Sequence, residues 1–157
     1  MQNFKKIRVW QKAHQLCLLV YEVTVAFPKE EKYGLVDQMR RAASSAPANI
    51  AEGSAASSPK VFARHLEIAL GSLSELEYFS ILARDLELVS AEKSVELIGA
   101  VVEVRRMLVS FRSAVRHQLT RVKAGEAPYE TKSLFEENAG PYAAEWPPED
   151  HAVVSDN

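Results

Sequence analysis

Four cationic residues fall on one side of the last long helical pattern of the chain. At about 100° per residue they project within roughly 40° of one another on a helix. They are Arg105, Arg112, Arg116 and Lys123. A stripe of this kind can follow the phosphates of a nucleic acid, or form ion pairs with acids on another helix or subunit.

Three interpretations of this basic stripe stay open: ion pairing, simple solvation, and contact with nucleic acid. Acids that can pair with it lie on the preceding helical pattern, at Glu67, Glu75 and Glu77. Arg40 carries the same three interpretations, since it is a cation on the second helical pattern with no assigned partner.

A second, polar stripe lies on the second helical pattern. Its members are spaced by three or four residues, which places them within about 80° of one another. They are Gln38, Arg41, Ser45, Asn49 and Glu52. The stripe has three interpretations: a solvated face, a hydrogen-bond network between helices or subunits, and a catalytic site.

Motifs for catalysis or cofactor binding are missing from the sequence. No histidine lies three residues after a glutamate, as di-iron bundles require, and HExxH is absent. The chain contains neither GxGxxG nor GxxxxGK[ST], and its serines lack an assigned base. The single Cys17 excludes a disulfide within one chain. We therefore expect no enzyme activity, cofactor, metal or small-molecule substrate.

Charge is divided unevenly along the 157 residues. Residues 1–123 carry 18 Lys and Arg against 13 Asp and Glu, whereas residues 124–157 carry one lysine against eight acids. No apolar run reaches the roughly 20 residues of a membrane span, and the first residues do not resemble a signal peptide. We expect a cytoplasmic protein without a membrane partner.

Four helices are predicted, over residues 9–27, 31–52, 59–89 and 91–123. Pro28 ends the first, and Ser58 and Ser90 are N-caps of the last two. Gly53 is interpreted as a left-handed cap of the second helix, and Pro47 is expected to bend that helix near Ala43.

The predicted fold is all-α, an antiparallel up-down four-helix bundle with a kinked second helix, since long helices joined by short loops pack antiparallel. The bundle is predicted over residues 1–123, and residues 124–157 form an irregular acidic tail, predicted to be mostly disordered, with four of the seven prolines.

The third helix has apolar residues on two sides. One is a heptad seam that includes Leu66, Leu73 and Leu76, and the other is a second flank. The second flank consists of Leu70, Tyr78, Leu82 and Leu86. Because the core of one bundle buries only one side of a helix, we expect the other apolar side of the third helix to contact a second copy of the chain.

Two segments together resemble the bacterial family of four-helix-bundle proteins first associated with intervening sequences of 23S ribosomal RNA genes. They are "VWQKAHQLCLLVYEVTVAFPKEEKYGLVDQMRRAASSAPANIAEG" and "FARHLEIALGSLSELEY". The resemblance covers about residues 4–120. It implies a five-membered ring with a central channel, and no catalytic residue. A related accessory protein of diversity-generating retroelements is basic and binds nucleic acid and a reverse transcriptase.

The sequence thus predicts a non-enzymatic, homopentameric scaffold that engages a macromolecular partner. The alternative is a nucleic-acid-binding accessory protein, with RNA, DNA or a nucleic-acid enzyme as partner, that uses the basic stripe. Two features weigh against this alternative. The segment after Gly53 offers only Lys60 where the family usually has a nearby basic residue, and the acidic tail is additional. A third hypothesis is that this tail covers the basic body.

Overall fold

The computed structural model describes residues 3–123, with side chains through residue 117. Its helices are α1 (Arg8–Thr24), α2 (Leu35–Ser54), α3 (Pro59–Asp85) and α4 (Ala91–Lys123). Two short 3-10 helices, Phe4–Lys6 and Lys29–Tyr33, precede α1 and α2. No strand occurs in residues 3–123, so the predicted all-α class is confirmed.

The four helices form a closed cycle of neighbours, in which α1 packs on α2 and α4, and α3 packs on the same two helices. Two ion pairs give the relative direction of α1 and α4. Lys12 Nζ lies 3.1 Å from Glu103 Oε1, and Lys93 Nζ lies 3.4 Å from Glu22 Oε1. Rising numbers on α1 therefore meet falling numbers on α4, as expected for an up-down bundle.

Each helix contributes fully buried apolar side chains to one core. They recur at three- and four-residue spacing because that period keeps side chains on one face of a helix. The largest include Val20, Met39, Ile50, Leu66, Leu73, Leu76, Leu97 and Leu108. The heptad seam predicted on the third helix is therefore the core-facing side of α3.

The N-caps of α3 and α4 are as predicted. Ser58 Oγ accepts a hydrogen bond from the backbone N–H of Val61 at 3.3 Å, and Ser90 Oγ accepts one from Lys93 at 3.3 Å. These caps satisfy N–H groups that a helix start leaves without partners.

The end of α3 is earlier than predicted. The helix stops at Asp85, and Glu87 then adopts a left-handed backbone with φ of 55°. The Leu88 N–H donates to the carbonyl of Ala83, and the Glu87 N–H donates to that of Arg84, each at 2.9 Å. This pair of bonds is the Schellman arrangement, which closes a helix by satisfying its last carbonyls.

The boundaries between α1 and α2 also differ from the prediction. The first helix ends at Thr24 rather than residue 27, and α2 begins at Leu35 rather than residue 31. The intervening residues from Lys29 to Tyr33 form a separate 3-10 helix. The sequence pattern joined this segment to α2 because a 3-10 helix and the first turn of an α-helix have similar residue preferences.

The prediction that Gly53 caps α2 in a left-handed conformation is wrong. The residue is buried inside the helix, which continues to Ser54. A Cβ atom on Gly53 would lie 2.5 Å from Cδ2 of Phe62 and 2.8 Å from Cβ of His65. Gly53 is therefore required for the close approach of α2 and α3, not for a change in backbone direction.

Pro47 is buried within α2, and helical residues continue on both sides of it. The bend that we expect near Ala43 stays a prediction. Ser44 Oγ donates to the carbonyl of Arg41 at 3.2 Å. The carbonyl that loses its helical donor to the proline ring belongs to Ala43.

The acidic tail, residues 124–157, and the domain boundary in front of it lie outside the described residues. Their prediction is not tested by the structure. The side chain of Lys123 is also outside the described part, although its backbone ends α4.

Candidate functional site

The polar stripe of α2 contacts α3 through a pair of serines. The hydroxyl oxygens of Ser45 and Ser72 lie 2.8 Å apart. Ser72 Oγ also donates to the carbonyl of Ile68 at 3.2 Å. A hydroxyl has one proton to donate, so Ser45 is the donor in the bond between the two helices.

Asn49 extends this contact by one turn. Its Nδ2 donates to the carbonyl of Ser45 at 2.9 Å and to the hydroxyl of Ser45 at 3.2 Å. Its Oδ1 lies 3.2 Å from Nδ1 of His65. Because Oδ1 can only accept, Nδ1 of His65 carries a proton in this arrangement.

Glu52 completes the network, since its Oε2 lies 3.6 Å from Nδ1 of His65. We call this set the α2–α3 polar network. It consists of Ser45, Asn49, Glu52, His65 and Ser72. Two hydrogen bonds of this network, Ser45–Ser72 and Asn49–His65, cross from α2 to α3 and favour one rotation of the two helices, whereas Glu52 lies beyond hydrogen-bond distance of His65.

The first two members of the polar stripe lie outside this network. Gln38 is exposed, and Arg41 Nη1 lies 4.0 Å from Asp37 Oδ2 of the same helix, with both side chains largely in water. The stripe is thus a solvated face in its first half and an interhelical hydrogen-bond network in its second.

Two members of the basic stripe pair with acids of α3. Arg105 Nη1 lies 2.6 Å from Glu77 Oε2, and Arg116 Nη1 lies 3.7 Å from Glu67 Oε1. The Glu77 side chain is only 22% exposed, whereas that of Glu67 is 39% exposed. Both arginines therefore lie within ion-pair distance of a carboxylate on another helix of the same chain.

Arg112 lies between these two pairs along α4 and is half-buried. Its Nε is buried and has no hydrogen-bond partner within the part of the chain that the structure describes. Lys123, the last member, has its side chain outside that part. The four residues are therefore not equivalent, because two have part of their charge compensated within the chain.

Arg40 is held against α1. Its Nε donates to Thr24 Oγ1 at 2.9 Å, and its guanidinium carbon lies 4.7 Å from the centre of the Tyr21 ring. A hydrogen bond and a cation–π contact stabilise this position. Arg40 thus links α1 and α2.

Large apolar side chains are exposed along one side of α3. We call them the α3 flank, and they are Val61, Ile68, Tyr78 and Leu86. Tyr78 and Leu86 belong to the second flank predicted from the sequence, whereas Leu70 and Leu82 are half-buried.

Two members of the α3 flank, Val61 and Ile68, were missed in the sequence. Their signal is a seven-residue spacing that continues to Glu75 and Leu82. His65 and Ser72 of the α2–α3 polar network were also missed as network partners, although they share the same spacing on α3.

Other chemistry has little support in the described residues. Within residues 3–117 no three His, Cys, Asp or Glu side chains group as a metal site requires. None of the helices in the described range is long and apolar enough to cross a membrane. Partial burial raises the pKa of the Cys17 thiol, which makes it less nucleophilic at neutral pH.

The fold and its surface define a small all-α bundle protein in which several described polar side chains join neighbouring helices. The chain belongs to the 23S rRNA-intervening sequence protein family, whose model matches residues 5–110. The resemblance stated from the sequence is thereby confirmed. The family description names no enzymatic activity.

A crystal structure of a protein of unknown function from the S23 ribosomal protein family of Bacteroides thetaiotaomicron VPI-5482 is similar to this chain. The two are 25% identical and superpose with a TM-score of 0.60. The alignment covers 66% of this chain and 97% of the other. No curated protein matches the chain significantly.

Proposed function

We propose that the protein is a non-enzymatic scaffold that assembles from copies of itself, as a homopentameric ring, and engages a macromolecular partner. The observation that carries this proposal is the α3 flank. Its four side chains are 42% to 59% exposed in the single chain.

The energetic argument is that this exposure is costly. Moving a large apolar side chain fully out of water contributes about 1.5–3 kcal/mol. Val61 and Leu86, the two ends of the α3 flank, are 25 residues apart, which corresponds to about 38 Å at 1.5 Å per residue. Single exposed apolar residues are ordinary, but a row of them on one helix side is typical of a protein–protein interface.

The scaffold role, rather than an enzyme role, is supported by what the polar groups do. Glu67, Glu77 and Glu103 each pair with a cation of another helix. Catalytic carboxylates converge on a cleft, whereas these three each lie beside a cation of a neighbouring helix. The number five comes from the family resemblance.

The nucleic-acid alternative has weaker support. Arg105 and Arg116 meet carboxylates at 2.6 and 3.7 Å, which lowers the positive potential that the basic stripe offers to phosphates. Arg112 is the member with a buried nitrogen that lacks a partner in the described part of the chain. Binding to RNA or DNA is therefore an outcome to be tested rather than our leading proposal.

Native mass spectrometry of the full chain at micromolar concentration tests the assembly. We expect a particle of five times the chain mass, and a monomer would overturn the proposal. Affinity purification of this particle from its own cells, with and without nuclease, tests the partner. A protein partner retained after nuclease supports the scaffold role, and a partner lost to nuclease supports the alternative.

A further inference from the structure

Two helix faces of this chain are largely open to solvent and have matching patterns, with Leu82 and Val102 as their half-buried members. The first, which we call the α3 strip, follows offsets of three and four along α3. It consists of Ile68, Gly71, Glu75, Tyr78 and Leu82. The second, the α4 strip, follows offsets of four and three along α4. It consists of Val95, Gly99, Val102, Arg106 and Val109.

We propose that the α3 strip of one copy packs antiparallel on the α4 strip of a second copy, with Glu75 and Arg106 paired across the contact. This inference rests on the proposed self-assembly and deepens it by naming the two surfaces. Within each strip the positions span about 80° at 100° per residue, which is the width of a helix-packing face.

Charge complementarity identifies the occupant. Glu75 and Arg106 are exposed, and neither has an ion-pair or hydrogen-bond partner within residues 3–117. Each is the single charged member of its strip, and the charges are opposite. If the α3 strip packed antiparallel on its own copy about its centre, Glu75 would face Glu75, and like charges in contact are costly.

Shape complementarity gives the direction. Read in opposite directions, the two strips have the same offsets, so Ile68 faces Val109 and Leu82 faces Val95. In this register Arg106 lies over Gly71 and Tyr78 lies over Gly99. The space where a Cβ would be is open at both glycines, with nothing within 4 Å.

The glycines are otherwise unexplained. Glycine inside a helix costs about 1 kcal/mol of stability relative to alanine. At Gly71 and Gly99 no atom of the described chain, apart from the adjacent residues and the local helix backbone, lies within 4 Å of the place where a Cβ would be, so packing within the chain does not require glycine there. When a long side chain from another copy lies opposite, the absent side chain of each glycine leaves room for it. From Gly71, Arg106 reaches Glu75 one helical turn away, about 5–6 Å along the axis.

A third exposed apolar row, on α1, fits the α3 strip less well. It consists of Leu18, Tyr21 and Val25. The Tyr21 ring is already covered by Arg40, and the neighbouring Glu22 pairs with Lys93. None of the three members of this row is charged, so the row has no cation of its own to pair with Glu75. Because the α3 and α4 strips are different surfaces, their contact is heterologous and can close into a ring.

Charge reversal tests the pairing in the full chain. Glu75→Arg and Arg106→Glu should each raise the subunit dissociation constant by about tenfold or more, and the double variant should return it to within about threefold of the starting protein. Sedimentation at several dilutions gives these constants. The matched controls are Glu30→Arg and Lys32→Glu, which reverse exposed charges outside both strips and should leave the subunit dissociation constant unchanged.

Mixing the two single variants separates a contact between copies from one within a copy. The two chains should assemble with each other more tightly than either does with itself, because contacts between unlike variants bring opposite charges together, and all but one of the contacts in a five-membered ring can be of this kind. Gly71→Leu and Gly99→Leu should also dissociate the particle, while circular dichroism shows unchanged helix content. Val25→Lys on α1 is the control for an exposed substitution off the strips.

The outcomes distinguish this inference from the proposal it rests on. A monomeric starting protein overturns both. An assembled protein that tolerates both reversals and both leucines overturns the strip contact alone. Single reversals that weaken assembly without recovery in the double variant or the mixture overturn the Glu75–Arg106 pair.

Discussion

Gly53 of α2 and Phe62 of α3 approach so closely that a Cβ on the glycine would lie 2.5 Å from the ring carbon Cδ2. Carbon atoms pack best at about 3.5–4.0 Å. We therefore expect Gly53→Ala to lower the free energy of unfolding by about 1–3 kcal/mol, although alanine is the better helix former. Urea unfolding at one fixed protein concentration measures this.

The control for Gly53→Ala is Ala48→Gly, at an exposed position of the same helix. This substitution lowers helix propensity without creating a steric clash, and it should lower the free energy of unfolding by about 1 kcal/mol. A Gly53→Ala protein as stable as the starting chain would contradict the close approach of α2 and α3.

The Ser45–Ser72 bond of the α2–α3 polar network, 2.8 Å long, is open to a double-mutant cycle. Each single alanine should cost about 1 kcal/mol, and the coupling energy should be about 0.5–1 kcal/mol, since each substitution removes the hydrogen bond between half-buried Ser45 and buried Ser72. Ser74→Ala, at an exposed position of α3, should change stability by less than about 0.5 kcal/mol. A coupling near zero would argue against the network.

The two ion pairs of the basic stripe should differ in strength. Arg105 meets a Glu77 side chain that is 22% exposed, at 2.6 Å, while Arg116 is 60% exposed and 3.7 Å from Glu67. We expect a coupling of about 0.5–1 kcal/mol for the first pair and about zero for the second, because solvent screens exposed charges. Cycles with alanine at low and high salt measure both. Equal couplings would contradict this ranking.

Glu87 is in the left-handed conformation that closes α3, with φ of 55°. Glycine adopts this conformation without the steric cost of a Cβ. Glu87→Gly should therefore raise the free energy of unfolding by about 0.5–1 kcal/mol. Thermal unfolding measures this change. Gln15→Gly, in the middle of α1, is the control in which glycine should instead lower the free energy of unfolding, by about 1 kcal/mol. Destabilisation by Glu87→Gly would refute the assigned cap.

Cys17 should react slowly with alkylating reagents in the folded protein. Burial raises the pKa of its thiol, so less of it is the reactive thiolate at any given pH. The rate of iodoacetamide labelling should be lower than for an unfolded chain at pH 8, and should rise towards a midpoint above the ordinary cysteine pKa. Equal rates in native and urea-unfolded protein would contradict this prediction.

Local features of the fold were accessible from the sequence, as the caps show. Ser58 and Ser90 act within three residues of their own positions, so neighbouring residue types are enough to identify them. Gly53 was misinterpreted because a helix end and a close helix contact both favour the absence of a side chain. Only the position of Phe62 separates these two possibilities.

The partners of the candidate-site residues could not be predicted from the sequence, because they depend on how the helices pack against one another. Periodicity placed Ser45 and Arg105 on the correct faces of their helices. Their partners, Ser72 and Glu77, depend on how each helix is rotated and shifted against α3. Glu67, Glu75 and Glu77 were all candidate partners of the basic stripe, and the α3–α4 rotation decides that Arg105 meets Glu77, a choice that a single-helix projection cannot predict.

The antiparallel course of α1 and α4 gives the particle a polarity. The first residues of α1 and the last turns of α4 lie at one end of the bundle, as the Lys12–Glu103 pair indicates. In a cyclic assembly all copies point the same way, so the last described turns of α4 from every copy would lie around a single rim, together with the first residues of α1. The two rims of such a particle would then present different helix ends, and therefore different surfaces, to other molecules.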